Sequence, residues 1–228
     1  GGGGGTPQPA ARPARPTVDP TLTFAVPIAG APVEGKPDAL VTIVKAYEYA
    51  CPFCEKVRPT TEQIKADYGD DVRIVYKQYV VHAQVATDAA LSACAANRQG
   101  KFTAMDGLLW EKAFKARKFD RANVEALGRE AGLDLAQMKS DMDGPCKERV
   151  QKEQAEMSAV GTHGTPAFYI NGRFLPGGAV DLAKFKVLID EELAKAKERV
   201  AKGTRPERYY QEWVLGKGVK SAAPAKAM

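Results

Sequence analysis

The chain has no run of about 18 apolar residues, so no segment reads as a transmembrane helix. It has no dense basic stripe. Its 33 basic and 28 acidic residues leave a charge of only +5, spread along the chain, so a nucleic-acid partner is not expected. It has two histidines, His82 and His163, far apart in sequence. It has four cysteines, too few for a disulfide scaffold over 228 residues. No internal repeat is present. What remains is a core-forming composition, 44% hydrophobic and 27% charged, sufficient for one large domain or one domain with an insertion.

The first 22 residues are Gly- and Pro-rich and read as a flexible linker. There is no initiator Met, so removal of an N-terminal segment is expected. The leader is then read either as a tether to a membrane anchor or as a cloning scar or plain disorder.

Residues 23–28 predict a short first strand, and the β-branched run at residues 40–44 predicts a buried central strand that points at Cys51. From Cys51 the periodicity turns helical. Pro59 should kink this helix and Gly69 should end it. Residues 72–81 predict the next strand, parallel to the central one through a βαβ unit.

Residues 83–160 carry helical stripes only: Ala86, Ala90, Cys94 and Asn97; Phe102, Met105, Leu109 and Ala113; Val124, Leu127 and Ala131; and Cys146, Val150 and Met157. Asp134 and Asp143 are expected N-caps. Strands resume at residues 167–170 and 173–175, and Asn171-Gly172 between them suits a type I′ hairpin. An amphipathic helix through Leu182, Phe185, Leu188, Ile189 and Leu193 follows. A short helix around Tyr209, Tyr210, Trp213, Val214 and Leu215 precedes a tail at residues 216–228. The expected organisation is a linker at 1–22, an α/β domain split between 23–82 and 161–200, a helical insert at 83–160, and a C-terminal helix and tail at 201–228.

The close cysteine pair carries the chemistry. Cys51-Pro52-Phe53-Cys54 at a strand-to-helix junction puts both sulfurs on the first helical turn. There the first thiol meets unpaired backbone N–H groups and the positive end of the helix dipole. Both favour thiolate, by about 1.4 kcal/mol for each pKa unit. The same stabilisation favours the reduced protein and makes the disulfide more oxidising. Cys51 is therefore the expected exposed nucleophile and Cys54 the buried resolving thiol. Pro52 fits the first turn, where a missing N–H costs nothing. A zinc half-site would need a second close pair of Cys or His, which the sequence lacks. No metal and no cofactor are expected.

With this motif behind the central strand, the chain resembles the thioredoxin superfamily. Gly161-Thr162-His163-Gly164-Thr165-Pro166-Ala167-Phe168 is similar to the Gly-Thr-Pro-x-Phe segment that carries that family's cis-proline. Pro59, five residues after the second cysteine, matches its kink proline. The helical insertion, with Gln99-Gly100-Lys101-Phe102, resembles the DsbA-like branch of extracytoplasmic disulfide oxidoreductases. The resemblance covers residues 23–200. It implies a thioredoxin fold with an inserted all-helical domain, a Thr165–Pro166 cis peptide against the cysteines, and dithiol oxidation of extracytoplasmic proteins. It further implies reduced or misoxidised protein substrates, a membrane redox partner, and a periplasmic or cell-envelope location, tethered to the membrane if the linker carries an anchor. Isomerase or reductase activity of the same site, or a chaperone-like module with a vestigial redox site, are the alternatives. A monomer is expected, since the isomerases of the superfamily dimerise through a separate domain that residues 1–22 are too short to form.

Two positions depart from the resemblance. The acid usual six residues before the first cysteine is Lys45 here, and Glu48 either substitutes for it or lies on the surface. Phe53 stands where strong oxidants carry His, so a milder potential is expected. His163 has two readings, tuning of the Cys51 thiolate or loop structure. His82 is expected at a structural or rim position. Cys94 and Cys146 form a structural disulfide, two buried thiols or a second redox relay.

Overall fold

The computed structural model describes residues 17–223. The linker expected at residues 1–22 therefore lies largely outside the described residues. Within it, Val18 is buried beside Met157 and Val160.

Five strands form one sheet in the order β1-β3-β2-β4-β5. They are β1 (Val33–Glu34), β2 (Val41–Tyr47), β3 (Val72–Gln78), β4 (Ala167–Ile170) and β5 (Arg173–Leu175). β2 is buried along its whole length, as its β-branched run requires. It pairs parallel with β3, with Lys45 opposite Tyr76, and antiparallel with β4, with Lys45 opposite Phe168.

The first strand is not at residues 23–28. Thr23 and Phe24 make only isolated bridges to Arg173 and Val219. Pro27, which has no N–H to donate, interrupts that run. β3 stops at Gln78 rather than residue 81, because side chains take over the next amides. Val80 N–H donates to Gln154 Oε1 at 2.7 Å and Val81 N–H to Glu48 Oε2 at 2.8 Å.

The helix after Cys51 is broken as expected, into α1 (Pro52–Lys56) and α2 (Arg58–Tyr68), and Gly69 caps it at φ 54°. Five helices follow before β4: α3 (Ala83–Arg98), α4 (Phe102–Leu108), α5 (Arg121–Glu130), α6 (Leu135–Asp143) and α7 (Pro145–Ala159). A π-helical turn, Leu109–Phe114, extends α4 and buries Trp110 together with Leu109 and Ala113. Asp134 caps α6 by accepting from Gln137 N–H. Asp143 is not a cap. It ends α6 and binds Arg121, while Pro145 opens α7 after Gly144.

The hairpin turn has both residues in the left-handed region, Asn171 at φ 45° and Gly172 at φ 80°. Gly172 is required twice over, because a Cβ there would lie 2.3 Å from the Phe24 carbonyl. α8 (Leu182–Ala201) then packs on β2, β4 and α2. Tyr210–Leu215 forms a second π-helical turn. The start of the tail is pinned: Val219 N–H donates to the Thr23 carbonyl and Ala222 N–H to the Ala159 carbonyl, both at 2.8 Å.

The sheet buries a different cluster on each face. Val41, Ile43 and Tyr47 of β2 face the helical insert, α2 and the cysteine pair. Val44 and Ala46 face Phe24, Met157 and Tyr169. The period of two along β2 therefore puts Lys45 on the cysteine side.

Candidate active site

Cys51 is the N-cap of α1, with extended backbone at φ −84° and ψ 114°. Its Sγ accepts the Cys54 N–H at 3.2 Å. The two cysteines are unbonded to each other. Cys54 is fully buried. Cys51 is only 5% exposed, more covered than an exposed nucleophile would be. The cause is the loop before β4: the Thr165 carbonyl comes within 3.5 Å of Cys51 Sγ and accepts from the protonated thiol. The Thr165–Pro166 peptide is cis.

The surroundings separate the two thiols. The hydrogen bond from Cys54 is the largest influence on Cys51. With Thr165 and the backbone N–H groups of Cys54 and Phe53, it outweighs burial and brings Cys51 down to about 6. Burial drives Cys54 well up, and the negative charge developing on Cys51 adds to it. One thiolate and one thiol at neutral pH is the arrangement that stepwise disulfide exchange needs.

This separation has a pH signature. Alkylation of the reduced protein by iodoacetamide is expected at Cys51 alone, with a midpoint near pH 6. In the unfolded chain the same thiol ionises near about 8.5. The native pKa is the lower one, so the reduced protein gains stability as pH rises from about 6 to about 8.5 and loses it as pH falls through 6. Native Cys54 stays protonated across that window, so it opposes the gain only where the unfolded thiol begins to ionise, toward about 8.5. A Cys51 midpoint at the unfolded value would overturn the assignment.

Phe53 is 60% exposed beside the pair. It supplies an apolar surface, not a charge. Pro52 occupies the first helical position.

Glu48 is not a surface residue. It is fully buried, and its carboxylate accepts the backbone N–H groups of Val81 and His82 at 2.8 and 2.9 Å. The His82 ring also binds it through Nδ1. Glu48 thus ties the loop before Cys51 to the start of α3. His82, the N-cap residue of α3, is the rim residue its position in sequence suggests. His163 is exposed and turns back to the Gly161 carbonyl through Nδ1 at 3.0 Å. It is not among the main influences on Cys51, so the geometry supports its role in the loop.

Cys94 and Cys146 are joined in a disulfide with Cα atoms 5.7 Å apart. It bridges α3 and α7. Among the described residues no group of three or more His, Cys, Asp or Glu side chains is placed to hold a metal.

Four residues at this site escaped sequence reasoning. Arg117 donates to the Ala50 carbonyl at 3.2 Å, gripping the residue before Cys51 from the insert. Tyr47 and Tyr49, on the segment leading to the cysteines, have hydroxyls 2.9 Å apart. Tyr49 donates to Asp106 Oδ1 at 2.7 Å. Alternation along β2 marks Tyr47 as buried. Nothing in sequence marks Asp106, a single acid on α4, or Arg117, in the loop after it.

Comparison with known proteins agrees with this geometry. A family model described as thioredoxin matches residues 29–191. A Na(+)/H(+) antiporter NhaA from Herminiimonas arsenicoxydans is 29% identical over 163 residues, covering 71% of this chain and 24% of the antiporter. The chain thus spans about a quarter of that relative's length. Among solved structures, a thioredoxin-like oxidoreductase from Silicibacter pomeroyi is similar at TM-score 0.62 and 28% identity, covering 77% of this chain and 95% of that one. BdbD from Bacillus subtilis shares the fold at TM-score 0.68 and 22% identity, covering 76% of this chain and 98% of that one. The sheet order, the cysteine pair at the start of α1 and the family match over most of the chain lead to one conclusion: this chain belongs to the thioredoxin family, with a fold that carries a helical insert.

Proposed function

We propose that the chain is a thiol–disulfide oxidoreductase working as a dithiol oxidase, with Cys51 as nucleophile and Cys54 as resolving thiol. One observation carries the reading: Cys51 Sγ holds the Cys54 N–H at 3.2 Å. Donors aimed at that sulfur stabilise a thiolate, and a stabilised thiolate makes the reduced form the lower in energy. A substrate thiolate attacks Cys51 of the oxidised pair and Cys54 leaves. A second substrate thiolate then attacks the mixed disulfide, releasing oxidised substrate and leaving the enzyme dithiol. Thr165 and Pro166 offer backbone alongside Cys51 for an extended peptide. Exposed Phe53, Val81 and Val85, on the segments that meet there, offer apolar contact. Reduced or misoxidised proteins are the substrates, and a membrane redox partner restores the disulfide.

The location is extracytoplasmic. The Cys94–Cys146 disulfide supports it, since such bonds persist in oxidising compartments. No helix among the described residues is long and apolar enough to cross a membrane.

The test is a reduction potential measured in glutathione buffers. The expected value lies between about −230 and −120 mV. A value near about −270 mV, that of thioredoxin, would sink the oxidase direction and favour a reductase. Cys51→Ser should abolish both insulin reduction and oxidative refolding of reduced RNase. If both survive, the site is vestigial and the chain is a binding module.

A further inference from the structure

We propose that the cleft between β3, α3 and α7 is a binding site for the C-terminal end of a short peptide, with Arg149 taking the α-carboxylate and Gln78 the last amide N–H. The site is independent of the redox reading, since none of Cys51, Cys54, Thr165 and Pro166 lines it.

The cleft has a volume of about 350 Å³, within the range of small-ligand sites. Tyr76 and Gln78 of β3 form its floor, Ala93 and Cys94 of α3 one wall, and Arg149 and Glu153 of α7 the other. The Cys94–Cys146 disulfide ties those two walls together. Two polar atoms of the lining, Gln78 Oε1 and Arg149 Nη2, are buried and have no hydrogen-bond partner among the described residues. One is an acceptor and the other a donor, and a buried polar atom left unpaired is costly.

Both atoms are held in place. Glu153 is 3% exposed. One of its carboxylate oxygens accepts Arg149 Nε at 2.8 Å and the other accepts the Gln78 backbone N–H at 2.7 Å. A single buried carboxylate thus sets the guanidinium beside the end of β3. The Arg149 head lies against Gly30, at φ 74°, where a Cβ would come within 2.8 Å of Nη1. Gln78, 5% exposed, cannot turn its amide round. Tyr49 gives its only proton to the Asp106 carboxylate, so the Tyr47–Tyr49 contact needs the Tyr47 proton. The Tyr47 oxygen is then left to accept, and Gln78 Nε2 must face it, at 3.0 Å. Oε1 is therefore the free end of the amide.

A ligand that meets both atoms carries an acceptor for a guanidinium next to an N–H donor. A carboxylate is the acceptor whose shape matches that fork. The charged groups of the lining are three cations, Arg98, Arg149 and Lys152, against two carboxylates, Glu148 and Glu153, which favours an anion. A peptide end joins a carboxylate and an amide N–H on one residue, and the Tyr76 ring with Ala93 offers its side chain an apolar surface. A free amino acid would bring a further cation, whereas an acylated one brings a neutral N–H.

The experiment is saturation-transfer NMR on the full chain at neutral pH, with N-acetyl-L-leucine as the smallest peptide end. Saturable binding is expected, and a tetrapeptide ending in the same leucine should displace it. The methyl ester, which lacks the carboxylate, and isocaproate, which lacks the N–H, should each bind about tenfold more weakly. Arg149→Lys keeps a cation for Glu153 but loses the fork, and Gln78→Met removes the acceptor at similar volume. Each should weaken N-acetyl-leucine about tenfold. Equal binding of the ester or of isocaproate overturns the proposal, because the cleft would then be reading only bulk or charge. Unchanged binding in both variants overturns it too, as does a tetrapeptide that fails to compete. No saturation transfer to N-acetyl-leucine means that the cleft holds water only. If circular dichroism shows that a variant does not fold, the comparison of probes on the wild-type protein decides.

Discussion

Cys54→Ala should stop turnover and leave the protein trapped on its substrates. Cys54 is fully buried and held as a thiol. It reaches Cys51 but not a bulky substrate, so its removal spares the first attack and removes the step that reverses it. Reduced Cys54→Ala, offered a substrate disulfide, should accumulate a mixed disulfide at Cys51 that survives gel electrophoresis without reductant. Catalytic turnover should fall by roughly a thousandfold, about 4 kcal/mol of barrier. Cys51 should also become less acidic, because the Cys54 side chain is the largest influence bringing it to about 6. The backbone N–H of residue 54 remains, so the rise should be partial. Cys51→Ala should give no adduct at all. Turnover within tenfold of wild type in Cys54→Ala would mean that a single thiol suffices, and the two-thiol mechanism would fall.

The second large effect concerns folding. Cys94→Ala with Cys146→Ala removes a cross-link that closes a loop with sequence separation 52. In the chain-entropy description a loop of that size is worth about 4 kcal/mol through the unfolded state. For a domain of this size that corresponds to a melting temperature lower by roughly 8–16 °C. Cys146 is fully buried, so two alanines also leave a small cavity, which adds to the loss. Melting followed by circular dichroism in both proteins decides it. A fall of under about 2 °C would mean that the packing of α3 on α7 alone holds the insert together.

The parts of the fold written in local pattern were legible. β2, the helix start at Cys51, the helical block and the Asn171-Gly172 turn each follow from periodicity or from a residue with a special backbone preference. Two errors arose where a distant side chain decided the outcome, whereas the expected first strand fails locally, at Pro27. β3 ends early because Gln154 and Glu48 accept the amides that would have continued it. Asp143 has the composition of a cap, but Pro145 sets the helix start and Arg121 takes the carboxylate. The stripe positions of Cys94 and Cys146 were readable, whereas their pairing depends on how α3 and α7 approach each other. Asp106 illustrates the general difficulty. A lone acid on an amphipathic helix has no local mark, and its meaning comes only from Tyr49, some 57 residues away.

Glu48 and Arg117 have a consequence for how this protein can be altered. One belongs to the loop before Cys51 and grasps Val81 and His82, which lead into the insert. The other belongs to the insert and grasps Ala50, the residue before Cys51. The two halves are stitched together at opposite ends of residues 83–117. They are therefore not exchangeable modules. A foreign helical domain grafted onto this scaffold would arrive without the arginine, and its first helix would have to start where Glu48 holds the Val81 and His82 amides. Variation between relatives in one half should track variation in the other at these few positions, and a chimera would succeed only if its junctions carried both handholds across.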